Sequence, residues 1–382
     1  MTDFDAIVVG AGPAGSTAAR ELAAGGARVL VVDRAEFPRY KACGGGIPLR
    51  TERMLPFPID SVVEDSVRFL DVAWRGSMRF VRDSGTPFAH MVMRDRFDAL
   101  LLEHAQKAGA EFRPGTTIRN ANENGAVTVE AADGFTATAG LVVCADGAHS
   151  PVGKMLGMGY DIAECGAWEV EVRGAERQQG YEARALIELG FRPWGYAWLF
   201  PKASVLSIGI VLPREQASRM KGVVRRYIRR LGLEGHEVDI ARGHKIRFRR
   251  GNERIVSSRA LLAGDAAGLA DEFTEEGISY AVHSGRLAAR NGLRALGGGD
   301  IRQYQRDIDA EVMPELRAAR VIGYMFYGML SRNPRPWMFA SARLPFLWRA
   351  FFAVQRGDST YARELQQMPG LWRVAERMMG PA

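Results

Sequence analysis

The sequence predicts an α/β chain: a Rossmann-like dinucleotide-binding unit, an antiparallel-sheet domain interleaved with it, and a C-terminal helical segment. Three observations carry that prediction. A β-branched strand near the N-terminus runs straight into a glycine fingerprint. Two more buried strands, far downstream, end in Asp-Gly and Gly-Asp. Between those two lies a stretch of alternating apolar and polar residues.

The elements follow in order. Asp5-Ala6-Ile7-Val8-Val9 reads as a buried strand leading into Gly10-Ala11-Gly12-Pro13-Ala14-Gly15, and a small-residue helix then runs from Ser16 to Ala24. In this Rossmann-like arrangement Gly10 makes the tight turn. Gly12 lets backbone approach a pyrophosphate, and Gly15 lets the helix pack on the strand. The helix N-terminus turns its positive dipole end to the phosphates. Val29-Leu30-Val31-Val32 is the second parallel strand. It ends in Asp33, suited to a ribose hydroxyl, with Arg34 beside it. A GxGxxG alone is weak; with strand, helix, strand and acid in register it is strong.

Phe37-Pro38-Arg39-Tyr40-Lys41 then leads into Ala42-Cys43-Gly44-Gly45-Gly46-Ile47. Consecutive glycines let backbone pass close to something flat or bulky, and Cys43 places a redox-capable sulfur at the same spot. Met93-Arg94-Asp95-Arg96 opens a helix over Phe97 to Ala108. Leu141 to Cys144 is a buried strand reaching Asp146-Gly147, and Arg259 to Ala263 is another reaching Gly264-Asp265. From Trp168 to Val211 the alternation predicts antiparallel strands with one solvated face. Within it, period 2 sends Tyr196, Trp198 and Phe200 of Tyr-Ala-Trp-Leu-Phe-Pro to one face, either as core packing or as the wall of a pocket. Asp271, Glu272, Glu275 and Glu276 crowd the turn before Gly277-Ile278, where a helix runs to Leu296. Acids favour a helix start; crowded in a dry cleft, they also push one pKa up.

Composition sets limits. The 382 residues include only Cys43, Cys144 and Cys165, which suits a reducing cytoplasm rather than a disulfide framework. No targeting segment and no transmembrane run are expected, and six scattered histidines form no metal-ligand cluster. The net charge of +7 is concentrated between Lys221 and Arg254, as a solvated face or an attraction to anionic phosphate. Nucleic acid is not expected, because no recognition module accompanies the charge. Beyond residue 320, Met and aromatic side chains alternate with Arg332, Arg335, Arg343 and Arg349. Such helices pack on a domain, line a long-chain pocket, or rest peripherally on the inner membrane face.

The ordered motifs resemble the FAD-dependent oxidoreductases of the para-hydroxybenzoate hydroxylase fold. The Cys-Gly-Gly-Gly-Ile run together with Tyr-x-Trp-x-Phe-Pro resembles their geranylgeranyl reductase branch. The resemblance implies FAD held by the fingerprint, Asp33, Arg34, Cys43, Gly44, Gly45, Arg94, Asp146, Gly264, Asp265, Gly277 and Ile278. It divides the chain into an FAD-binding domain (1–70, 91–165 and 255–300), a substrate domain (71–90 and 166–254) and the helical segment 301–382. The implied reaction saturates C=C bonds of a prenyl or related lipid substrate, with hydride from reduced flavin N5 and a proton from a site acid. Cys43, Glu275, Glu276, Tyr196 and Trp198 are the catalytic candidates. NAD(P)H or a ferredoxin would be the external electron donor. The acidic turn departs from the family's Pro…Gly-Glu-Gly-Ile pattern and leaves open an amine-bearing substrate. Lys41 leaves open a flavin monooxygenase or halogenase of the same fold, and a non-enzymatic prenyl carrier is a further alternative.

Overall fold

A computed structural model describes residues 2–160, 162–174, 180–191, 194–368 and 370; the stretch 371–382 of the expected helical segment lies outside the described residues. Three sheets organise the chain. The first takes in Phe4–Val9, Val29–Val32, Glu111–Arg113, Ile118–Asn124, Ala126–Ala131, Thr136–Cys144 and Ala260–Leu262. Phe4–Val9 lies at its centre, parallel to Val29–Val32 on one side and Thr136–Cys144 on the other. Strands buried on both faces can be uniformly apolar, and Val29–Val32 and Ala260–Leu262 are buried throughout. Helices Pro13–Ala24 and Ile278–Leu296 pack together against this sheet.

The second sheet has the order Val238–Phe248, Ala163–Arg173, Val205–Pro213, Tyr196–Pro201, Arg184–Leu189, Phe69–Trp74, Met78–Asp83. It is antiparallel but for one pair: Arg184–Leu189 runs parallel to Phe69–Trp74. That pair joins strands over a hundred residues apart, so alternation within one segment could not reveal it. Its two faces are sorted by period 2. Ala197 and Leu199 face the helix Met220–Arg230, whereas Tyr196, Trp198 and Phe200 face the opposite side. A third, small sheet of Gly46–Pro48, Ala89–Val92 and Val63–Val67 seats the glycine run.

The helix expected from Phe97 starts at Arg94 instead and runs to Lys107. Arg94 and Asp98 are an i,i+4 ion pair at 2.8 Å, which favours extending the helix back over this turn. The basic stretch after Lys221 also divides. Arg247 and Arg249 are buried and bond backbone carbonyls, while Arg225 and Arg226 stay exposed. Among the described residues no helix is long and apolar enough to cross a membrane.

Candidate functional site

One cavity of about 1050 Å³ runs from the fingerprint, past the glycine run and the aromatic strand, to the C-terminal helices. All of the candidate site residues border it except Gly15 and Gly264. These two lie behind it for packing reasons. A Cβ on Gly15 would sit 1.8 Å from the Gly10 carbonyl oxygen, and one on Gly264 would sit 2.9 Å from the Ala14 Cβ. Gly10 has φ +100°, and its Cβ would meet Ala145 O at 2.3 Å.

Gly12 differs. A Cβ there would meet only Arg39 Nη2, at 3.6 Å, so the space in front of it is open. Pro13 and Ala14 open the helix behind it, whose first turn carries no acid to compete with an anion. Asp33 braces the loop, accepting from Ala11 N–H at 2.8 Å and Ala35 N–H at 2.9 Å. Arg39 was not singled out from the sequence. Its Nη2 pairs with Asp98 at 2.9 Å, but its Nη1 is buried without a partner. A buried guanidinium donor beside an open glycine cradle fits a diphosphate. The available signal was an arginine six residues past Asp33, in the loop that returns towards the fingerprint.

Two expected cofactor contacts are already engaged by protein. Asp146 accepts from Ser150 Oγ at 2.8 Å and Val152 N–H at 2.9 Å, so both its oxygens cap the short helix Pro151–Met155. Arg94 is bound to Asp98 through two parallel bonds of 2.9 and 2.8 Å. Asp265 sits at the end of a chain of contacts: His244 Nε2 lies 3.3 Å from it, and Lys41 Nζ lies 3.1 Å from His244 Nδ1. Burial alone would raise the Asp265 carboxyl. The His244 hydrogen bond and the cationic Lys41 and Arg94 nevertheless hold it below the usual carboxylate range. Burial lowers Lys41 to about 8, against the pull of Asp265.

The glycine run makes close approaches to the protein itself while also bordering the cavity. A Cβ on Gly44 would lie 2.9 Å from the Phe200 ring and 3.1 Å from Trp198 Nε1. Gly45 has φ +74°, and its Cβ would lie 2.2 Å from Val92 O. The run is therefore squeezed between the aromatic strand and Ala89–Val92, with the half-buried Cys43 bordering the cavity. Centroid spacings of 6.3 and 6.2 Å make Tyr196, Trp198 and Phe200 a continuous wall. Gly209 on the next strand makes room for it, since a Cβ there would sit 2.2 Å from Trp198 Cζ2.

The four acids of the turn have four different roles. Asp271 caps the turn, accepting from Phe273 N–H at 3.0 Å, Thr274 N–H at 2.6 Å and Thr274 Oγ1 at 2.8 Å; burial raises it to about 6. Glu272 faces Arg250 and Arg320. Glu276 pairs with the buried Arg50 at 2.8 Å and accepts from Ser279 N–H at 2.7 Å, capping Ile278–Leu296. Both of its oxygens are thus engaged in holding the helix start. Glu275 alone is unengaged. Both its carboxyl oxygens are buried without a hydrogen-bond partner, and its φ is +56°. Burial first, then Asp271, push its carboxyl well above the usual range. The Tyr196 hydroxyl adjoins it but gives its one proton to Thr274 O at 2.6 Å. The Tyr196 oxygen can therefore only accept from Glu275, an arrangement that suits a protonated carboxyl.

Comparison with known proteins agrees with this geometry. A family model described as an FAD binding domain matches residues 3–271. The chain is 33% identical to a geranylgeranyl diphosphate reductase of Rhodobacter capsulatus, over 78% of this chain and 76% of that one. It superposes on a geranylgeranyl bacteriochlorophyll reductase-like protein of Thermoplasma acidophilum with TM-score 0.80 at 21% identity, covering 96% and 99% of the two chains. A flavin-dependent brominase shares the fold at TM-score 0.73 and 18% identity, covering 98% of each chain.

Proposed function

The chain belongs to the geranylgeranyl reductase family of FAD-dependent oxidoreductases, and from that membership we propose that it saturates C=C bonds of a prenyl-type or related lipid chain. The observation that carries the proposal is Glu275, an acid bordering the cavity whose buried carboxyl oxygens have no hydrogen-bond partner. FAD, when bound and reduced, supplies the hydride. NAD(P)H or a ferredoxin supplies the electrons from outside.

The chain's own residues supply the rest. Gly12, the N-terminus of Pro13–Ala24 and Arg39 Nη1 would hold the diphosphate. Tyr196, Trp198 and Phe200 form a continuous wall of tilted rings that orients an alkene and excludes water. Glu275 delivers the proton from its carboxyl to the second alkene carbon. It is left ionised beside Asp271, whose like charge drives it to take a proton back from solvent once the product has left. Met325, Phe326, Trp337, Trp348 and Phe351 continue the cavity as an apolar channel for the remaining chain. The direct test is anaerobic turnover of the reduced enzyme with a geranylgeranyl substrate. Mass spectrometry is expected to show a gain of two hydrogens per double bond. Substrate recovered unchanged in mass, with the flavin staying reduced until O2 is admitted, would sink the proposal and favour the oxygenase or halogenase alternative, to which the cavity-facing Lys41 also points.

A lipid substrate has to enter from a membrane, and one stretch suits that contact. No Asp or Glu occurs between Glu315 and Asp358, while seven arginines do. Tyr324, Met329, Phe339 and Phe346 are exposed on these helices, alongside Arg332, Arg335, Arg343 and Arg349. Exposed apolar side chains with arginines at head-group level suit an anionic lipid surface. The protein is expected to sediment with anionic vesicles and much less with zwitterionic ones. The pair Arg335→Glu and Arg343→Glu should reduce anionic binding by roughly tenfold or more, taking about 1 kcal/mol per basic residue at the surface. Equal sedimentation of that double variant would remove the membrane face from the proposal.

A further inference from the structure

Beneath the glycine run lies a buried carboxylate that the proposed chemistry does not use. Glu169, on the strand Ala163–Arg173, is 2% exposed and borders the cavity. Three donors converge on it. Oε2 accepts from the Cys43 backbone N–H at 2.5 Å and from the Tyr40 hydroxyl at 3.3 Å. Oε1 accepts from Ser207 Oγ at 2.6 Å, and Ser207 in turn accepts from Trp198 Nε1 at 3.2 Å.

Every one of these partners is neutral. Lys202, in the same layer, is paired with Glu171 at 3.5 Å, so among the described residues Glu169 is held by neutral donors alone. Three donors and no acceptor are what an ionised carboxylate takes. An uncompensated buried charge is costly unless fully hydrogen-bonded, and packing alone would be served better by an apolar side chain. The carboxylate links two elements that pack against each other at this end of the cavity: the backbone at Cys43 and, through Ser207, the indole of the wall.

We propose that Glu169 is a positioning residue with two effects: it fixes the Cys43–Gly45 loop against the aromatic wall, and its charge lowers the reduction potential of flavin bound in the cavity. The second effect rests on the FAD reading; the first does not. Glu169→Gln keeps the volume and removes the charge. Its single carbonyl oxygen cannot replace both carboxylate oxygens. Glu169→Asp keeps the charge but is one methylene too short to reach Cys43 and Ser207 together.

The test measures the midpoint potential of bound flavin in the purified holoprotein, and amide hydrogen exchange at Cys43 with and without flavin. Glu169→Gln is expected to raise the potential enough to shift the oxidised-to-reduced ratio at least tenfold, about 30 mV for a two-electron couple. It is also expected to speed Cys43 exchange about tenfold. Glu169→Asp should speed the exchange and leave the potential near wild type, which a merely structural role would not separate. Unchanged potential in folded Glu169→Gln overturns the charge effect. Unchanged Cys43 protection in either variant overturns the loop effect, and Glu169→Asp decides if Glu169→Gln does not fold. A protein purified without flavin would count against the FAD reading alone, because exchange at Cys43 is still measurable.

Discussion

Glu275→Gln is expected to lower turnover by about 10²–10⁴-fold, the usual contribution of a positioned general acid, while flavin content and its anaerobic reduction stay at wild-type levels. The amide keeps the shape of the side chain and cannot release a proton. The pH dependence follows from the direction of the shift. Burial and Asp271 hold the folded carboxyl well above its usual value, so wild-type turnover should be flat at low pH and fall as pH rises through that elevated value. The variant should lose this limb together with its activity.

In the variant, stability should move the opposite way to turnover. The folded chain keeps a proton on Glu275 that the unfolded chain releases above about pH 4.3. Between the unfolded and the folded values the native state binds more protons, so stability falls as pH rises through that window. Glu275→Gln removes the loss and should unfold at a higher temperature at neutral pH. Glu275→Gly should gain more, because φ +56° costs a side-chain-bearing residue roughly 1–2 kcal/mol. A strained, uncharged, unpartnered acid kept at this expense is what a proton donor requires and what a helix cap does not. Full turnover in Glu275→Gln with a normal flavin spectrum would sink the assignment and leave the residue unexplained.

The sequence showed the frame of this site but not its division of labour, for a definable reason. The fingerprint, the strand before it and the alternation at Tyr196, Trp198 and Phe200 are local signals, each set by residues a few positions apart. The acidic turn also read clearly as crowded. Which acid stays free depends on Arg50, Arg250 and Arg320, and Arg50 lies over 220 residues from Glu276. Glu169 and Cys43 are 126 residues apart, and the alternating strand around Glu169 reads as solvent-facing until the loop through Tyr40 and Cys43 meets it. Arg39 was visible in the sequence, yet only the fold turns it towards Gly12. Local pattern thus located the elements, while arginines outside the turn decided which of its glutamates stays free.

Two of the fingerprint glycines should fail in different ways, and that difference tests the nucleotide cradle. Gly15→Ala places a Cβ 1.8 Å from the Gly10 carbonyl oxygen. Both groups are backbone at the tightest joint between strand and helix, so neither can yield without opening the Phe4–Val9 layer. The cost should exceed the roughly 1–3 kcal/mol of ordinary overpacking. The variant is expected to lose nearly all flavin absorbance and to unfold well below wild type. Gly12→Ala adds the same methyl into open space, 3.6 Å from the flexible end of Arg39. The chain without cofactor should tolerate it, with thermal unfolding near wild type. Only a diphosphate drawn against this backbone would meet the methyl, so flavin affinity should fall by about tenfold or more, corresponding to about 1.4 kcal/mol. Normal flavin binding in Gly12→Ala would mean that the phosphates lie elsewhere in the cavity. Loss of fold in that variant would mean that Gly12, like Gly15, serves packing. Either result would remove the cradle from the proposed mechanism while leaving the Glu275 prediction to stand or fall by itself.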